Sequence, residues 1–96
     1  MPDDQPDDQA DDQPSDFTRK LADNLRTARE AKQWSQERLA RKAVVHWTYV
    51  SQIERGLRNP TLVILARIAK ALEVPLASLI RDLPDPPPAK DPYADE

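Results

Sequence analysis

His46, Trp47, Thr48 and Tyr49 stand side by side and gather the only histidine of the chain, one of its two tryptophans and one of its two tyrosines. Ser51, Gln52, Glu54, Arg55, Arg58 and Asn59 follow closely. A histidine among hydroxyl groups first suggests nucleophilic or general-base chemistry, but nothing near it in sequence resembles a nucleophile with an orienting acid. A metal centre fares no better, because with one histidine and no cysteine it would rest on carboxylates alone. No catalytic residue, metal ligand or cofactor is therefore expected. The lack of cysteine also removes a disulfide framework and suits a reducing compartment.

Such a segment needs elements to carry it. The apolar residues recur at spacings of three and four, which predicts an all-α body. Phe17, Leu21, Leu25 and Ala28 form one stripe of a first helix that fades near Lys32. Ser35 reads as the N-cap of a second helix from Gln36 to about Lys42, with Trp34 and Leu39 placed as a hydrophobic staple and Trp34 serving as a core plug. A break at Val44 and Val45 precedes a third helix, Trp47 to about Arg55. Its inner side is Val50 and Ile53; its outer side is His46, Trp47, Thr48, Ser51, Gln52 and Arg55, with Tyr49 at the border. Gly56, the only glycine, follows directly, as a left-handed helix stop requires. Pro60 and Thr61 open a fourth helix with Leu62, Leu65, Ile68, Ala69 and Leu72 inward, and Pro75 opens a short fifth with Leu76, Leu79 and Ile80 inward.

The net charge of −3 averages three unlike segments. Residues 1–16 hold seven aspartates and no base, arranged as a near-perfect repeat of Pro-Asp-Asp-Gln; residues 17–81 hold 13 Lys or Arg against five acids; residues 82–96 hold five acids and one lysine. The first segment, with no large apolar residue between Met1 and Phe17, reads as a disordered acidic arm. Residues 17–82 read as the folded domain and 83–96, with five prolines, as an extended acidic tail. A body so basic suggests a polyanion partner; a solvated basic surface with no partner is the alternative. One small domain of this size buries only about 60 to 65 per cent of the surface its unfolded chain exposes, which disfavours a deep enzyme pocket. No apolar run approaches the roughly 18 to 20 residues of a membrane span, and the acidic start is unlike a signal peptide. A cytoplasmic protein is expected.

Leu39-Ala40, Val45, Val50, Ile53, the "ERG" of residues 54–56, Asn59-Pro60 and the "LARIAKALEVPLASL" block together closely resemble the XRE or Cro and phage-repressor family of helix-turn-helix domains. The likeness covers roughly residues 20–81. A narrower likeness joins "HWTYVSQIERGLRN" to restriction-modification controller proteins. The resemblance implies a compact five-helix, lambda-repressor-like domain that binds double-stranded operator DNA as a non-enzymatic transcriptional regulator, associated with the nucleoid, with the third helix in the major groove. It maps base contacts onto Trp47, Thr48 and Gln52, with Tyr49, Ser51 and His46 next in line. Glutamine is a two-point partner for adenine, and the threonine methyl meets a thymine methyl. Gln36, Arg55, Arg58 and Asn59 take the phosphate-contacting positions. Arg29 and Glu54 take those of a structural ion pair. A homodimer is implied, pairing through Leu76, Leu79, Ile80 and Leu83, some of which must also close the core.

Several departures from the family pattern matter, and one of them puts Gln33 where a glycine commonly ends the first helix. Trp47 stands where controller-type relatives have an arginine, so it either packs on DNA or folds back over the second helix. His46 replaces the Ser or Thr N-cap and caps less well. Val44 replaces the turn glycine, so it must either keep a negative φ or carry strain. The acidic arm is a solubilising tail, a competitor of phosphate for the basic face, or a docking segment for a protein partner. An antitoxin or protein-interaction module on the same scaffold is the alternative function.

Overall fold

The computed structural model describes residues 14–94, so the disorder expected of residues 1–13 lies outside the described part of the chain. Among the described residues there are five helices and no strand: α1 (Asp16–Ala31), α2 (Gln36–Ala43), α3 (Trp47–Glu54), α4 (Leu62–Leu72) and α5 (Leu76–Leu79). Helix α2 packs on α3 and α4, while α1 packs on α3 and α5. The core between them includes the fully buried Leu25, Leu39, Val50, Ile53, Ile68, Leu72 and Leu79.

Helices α1 to α4 each start where a side chain satisfies a first free amide, whereas α5 starts at Pro75 with no side-chain cap. Ser15 Oγ accepts from the Thr18 amide at 3.1 Å and Thr18 Oγ1 accepts from the Ser15 amide at 2.9 Å, a reciprocal capping box. This cap starts α1 at Asp16, inside the segment assigned to the acidic arm. It also turns the helix. The buried stripe is Thr18, Leu21, Ala22 and Leu25, whereas Phe17, expected in the stripe, is only half-buried. Ser35 and Thr61 cap α2 and α4 through bonds of 3.0 and 3.1 Å. His46 caps α3 by accepting from the Thr48 amide on Nδ1 at 3.1 Å, which places its proton on Nε2 in that arrangement.

The ends of α1 to α4 share one device. Trp34, Val45, Leu57 and Val74 each donate their amide to the carbonyl five residues back, on Arg29, Ala40, Gln52 and Ala69 respectively. Each follows a left-handed residue: Gln33, Val44, Gly56 and Glu73, with φ of 61°, 59°, 74° and 61°. Trp34, Val45 and Val74 then pack against the core, whereas Leu57 stays exposed. Val44 therefore takes the strained alternative, with φ 59° and ψ 50°, and leaves its side chain 78% exposed. The glycine-type turn is preserved without the glycine.

The C-terminal end differs from expectation at one residue. Leu79, assigned to a dimer interface, is fully buried in the core of its own chain, which removes it from any partner's reach. Leu76 and Leu83 are partly buried against that core, and Ile80 is 40% exposed. The segment is tied down by Asn24, whose amide donates to the carbonyls of Leu79 and Arg81 at 3.0 and 2.9 Å. No helix among the described residues is long and apolar enough to cross a membrane.

Candidate nucleic-acid interface

Helix α3 is held from one side only. Val50 and Ile53 are 0% and 1% exposed, and burying a side chain of this kind contributes about 1.5 to 3 kcal/mol. The opposite side is open: His46, Thr48 and Arg55 are exposed, Trp47 is 50% exposed, and Tyr49, Ser51 and Gln52 are partly so. Trp47 thus keeps half of its surface open to a partner. Its indole carries one N–H donor and a broad apolar face.

A buried charge cluster fixes the end of α3. Glu54 is 3% exposed and receives Arg29 in a two-point contact, Nε to Oε2 at 2.6 Å and NH2 to Oε1 at 2.9 Å. The hydrogen bond to Glu54 raises the Arg29 pKa above its ordinary value, against the opposing effect of burial, so the guanidinium stays charged. Arg29 also donates to the Trp34 carbonyl at 2.8 Å, which joins α3 to the loop before α2. Two further residues complete the cluster. Arg26 lies 3.7 Å from Glu54 Oε1 and donates to the Glu54 carbonyl, and Gln36 Nε2 donates to Oε1 at 3.0 Å. Gln36, expected at a phosphate, therefore spends one amide proton inside the protein. Its second amide proton and its backbone N–H, at the first position of α2, are left uncommitted.

Arg58, also expected at a phosphate, turns back onto the open side of α3. Its Nε donates to Gln52 Oε1 at 2.9 Å, and its guanidinium lies 4.6 Å from the Tyr49 ring centroid. The bond orients the Gln52 amide. Oε1 keeps a second lone pair and Nε2 keeps both protons, so a two-point adenine contact is still open. Arg55 and Asn59 are exposed on the same loop. Trp34 is a partial plug: it packs on the core, and Lys32, Arg38 and Lys42 lie 5.3, 5.4 and 5.9 Å from its ring centroid. Among the described residues no cluster of His, Asp and Glu is arranged to hold a metal ion.

Two helices joined by a tight turn, the second anchored inside and bare outside, form a helix-turn-helix. Residues 25–79, more than half of the chain, match the HTH_3 helix-turn-helix family. The chain belongs to this family. It is 40% identical over 65 residues to control protein C.SmaI of Serratia marcescens, covering 68% of this chain and 77% of that one. It is 46% identical over 50 residues to an HTH-type transcriptional regulator of Mycobacterium tuberculosis, MT0491, spanning 52% of this chain but only 36% of that protein. Among solved structures, the restriction-modification controller protein C.AhdI of Aeromonas hydrophila superposes with a TM-score of 0.63 at 39% identity, covering 65% of this chain and 94% of that one. The hypothetical transcription factor NHTF from Neisseria superposes with a TM-score of 0.66 at 38% identity, over 71% of this chain and 80% of that one.

Around this helix-turn-helix, reasoning from sequence missed several partners, among them the bond from Gln36 to Glu54. Arg26 lies three residues before Arg29 on one helix face, a spacing that signals a second cation for Glu54. The Gln52–Arg58–Tyr49 group depends on how the loop after Gly56 turns back, and the Asn24 clamp on how α5 lies beside α1. Neither leaves a trace in residue spacing.

Proposed function

We infer that the chain is a sequence-specific DNA-binding regulator of transcription that lays the open side of α3 in the major groove. The observation that carries this reading is the division of α3 into a pinned side and an open side. Val50, Ile53 and the Glu54 cluster set the cant of the helix, and Trp47, Thr48, Tyr49, Ser51 and Gln52 are left available. The relatives named as control proteins and transcriptional regulators support the same assignment. Base readout would come from Trp47, Thr48 and Gln52, the last oriented by Arg58, with Tyr49, Ser51 and His46 beside them. Arg55, Asn59 and the start of α2 would hold phosphates. The activity is non-enzymatic, and the site of action is the nucleoid within the cytoplasm.

One such motif covers a half-site, and a two-fold pair brings two recognition helices about 34 Å apart on one face of the duplex. The pairing surface would be Ile80 with the flanking Leu76 and Leu83. Selection of bound duplexes from random DNA tests the whole reading: a palindromic consensus with half-sites about one helical turn apart is the expected result. Recovery of no enriched sequence would sink it and favour the antitoxin or protein-interaction alternative.

A further inference from the structure

The DNA-binding reading leaves the Pro-Asp-Asp-Gln repeat without a role, yet the structure fixes where that repeat is attached. A β-carbon on Gly56 would lie 3.1 Å from Pro14 Cβ, 3.6 Å from Thr18 Oγ1 and 3.7 Å from Arg19 Cγ. The chain thus enters α1 across the residue that ends α3, beside the loop that carries Arg55 and Arg58. The Ser15–Thr18 capping box holds Pro14 at that crossing. Arg19 and Arg55 are exposed, and among the described residues neither has an acidic partner. Arg58 spends its Nε on Gln52, and likewise has no acidic partner among those residues.

Six aspartates, Asp3, Asp4, Asp7, Asp8, Asp11 and Asp12, precede that crossing. Twelve extended residues reach about 40 Å, whereas the eight residues of α3 span about 12 Å. The repeat can therefore reach every residue of the open side. A tether this short gives an effective concentration on the order of millimolar, and carboxylates within about 10 Å of the arginines escape most screening at 0.1 M salt.

We propose that residues 2–13 are an internal ligand of the DNA-binding face: their carboxylates lie along Arg19, Arg55 and Arg58 in place of phosphates and leave when a duplex arrives. The proposal rests on the reading of α3 as the DNA-binding face. Its thermodynamic consequence is specific. A competitor within the chain lowers the apparent affinity for every duplex by one factor, because only the arm-free fraction is competent. Non-specific complexes then fall below useful occupancy while operator complexes, supported by base contacts, survive. Because the arm already neutralises part of the face, DNA binding also displaces carboxylates, and the dependence on salt becomes shallower.

The lack of cysteine permits a clean test, since Gln5→Cys takes a single nitroxide label on the full chain. At about 0.05 M salt the label should broaden the amide signals of Gln52 and Arg55 to Asn59 but not that of the exposed Ala77 on α5. Adding duplex DNA, or raising salt to about 0.5 M, should restore them. Changing the six aspartates to asparagine should abolish the broadening, tighten random-duplex binding about tenfold at low salt, and steepen the salt slope by about 0.9 for each arginine released. Uniform or absent broadening, or equal broadening in the asparagine variant, would overturn the proposal. Broadening that persists in a protein with no affinity for any duplex supports the arm contact and overturns the DNA reading beneath it.

Discussion

Glu54 is an acid almost out of reach of water, and its partners decide whether that burial is tolerable. Arg29, Arg26 and Gln36 converge on it, so removing Arg29 leaves a carboxylate buried with weaker help. Arg29→Met is expected to cost about 3 kcal/mol in urea unfolding, whereas Arg29→Met with Glu54→Leu should recover most of the loss. The Arg29 pKa is raised, so its contribution is fully present below the ordinary arginine value and lost only as pH rises through the raised one. The loss in Arg29→Met should therefore not change between about pH 7 and 9. The Arg29–Glu54 pairing was legible once the motif was recognised, because ion-pair roles follow motif position. The second arginine and Gln36 were not, since their direction depends on how α1 and α2 cross α3. Val44 makes the opposite point. A β-branched side chain in the left-handed region is disfavoured, and being 78% exposed it buries nothing in return within its own chain. Val44→Gly should raise stability by about 1 kcal/mol without changing the fold, measured as a higher urea midpoint at constant slope. An unchanged or lower midpoint would mean that Val44 is held by contacts beyond its backbone.

At the scale of elements, boundaries were legible where a single residue type decides them. Ser35, Gly56, Thr61 and Pro75 stop or start helices by their own chemistry, and the helices begin or end there. The start of α1 was harder to see because the capping box uses Ser15 and Thr18, so an inner position went to a threonine and Phe17 was displaced toward the surface. Helix α5 shows the limit of pattern reading most plainly. Leu76, Leu79 and Ile80 look alike in sequence, but four residues of helix cannot serve both core and partner with all three, and the core takes Leu79. Asn24 then decides where the chain goes next. Asn24→Ala should cost about 1 to 2 kcal/mol by leaving the Leu79 and Arg81 carbonyls without their donor, and amide exchange should rise most in residues 79–83. If pairing uses this end, Ile80→Glu should convert a dimer to a monomer in light scattering at micromolar concentration without lowering the unfolding midpoint of the monomer. A dimer that survives this change would move the interface elsewhere, with the 65% and 61% exposed Leu62 and Val63 on α4 the next candidates.

For the whole molecule, the charge map and the helix-turn-helix make one account. On the proposed reading, a body with 13 basic residues against five acidic ones would supply affinity for a polyanion, and the open side of α3 would supply choice among sequences. Affinity of the first kind falls with salt for all duplexes alike, while the second kind persists as a ratio between sites. That ratio is the quantity to measure. Dissociation constants for a selected site and a scrambled duplex should be compared at one salt concentration, for the full chain and for Trp47→Ala with Gln52→Ala. The account predicts a ratio of at least about 10³ for the full chain, reduced by about tenfold or more in the double variant, with scrambled-duplex binding little altered. An undiminished ratio in a folded double variant would contradict the assignment of this face as the reader of DNA sequence.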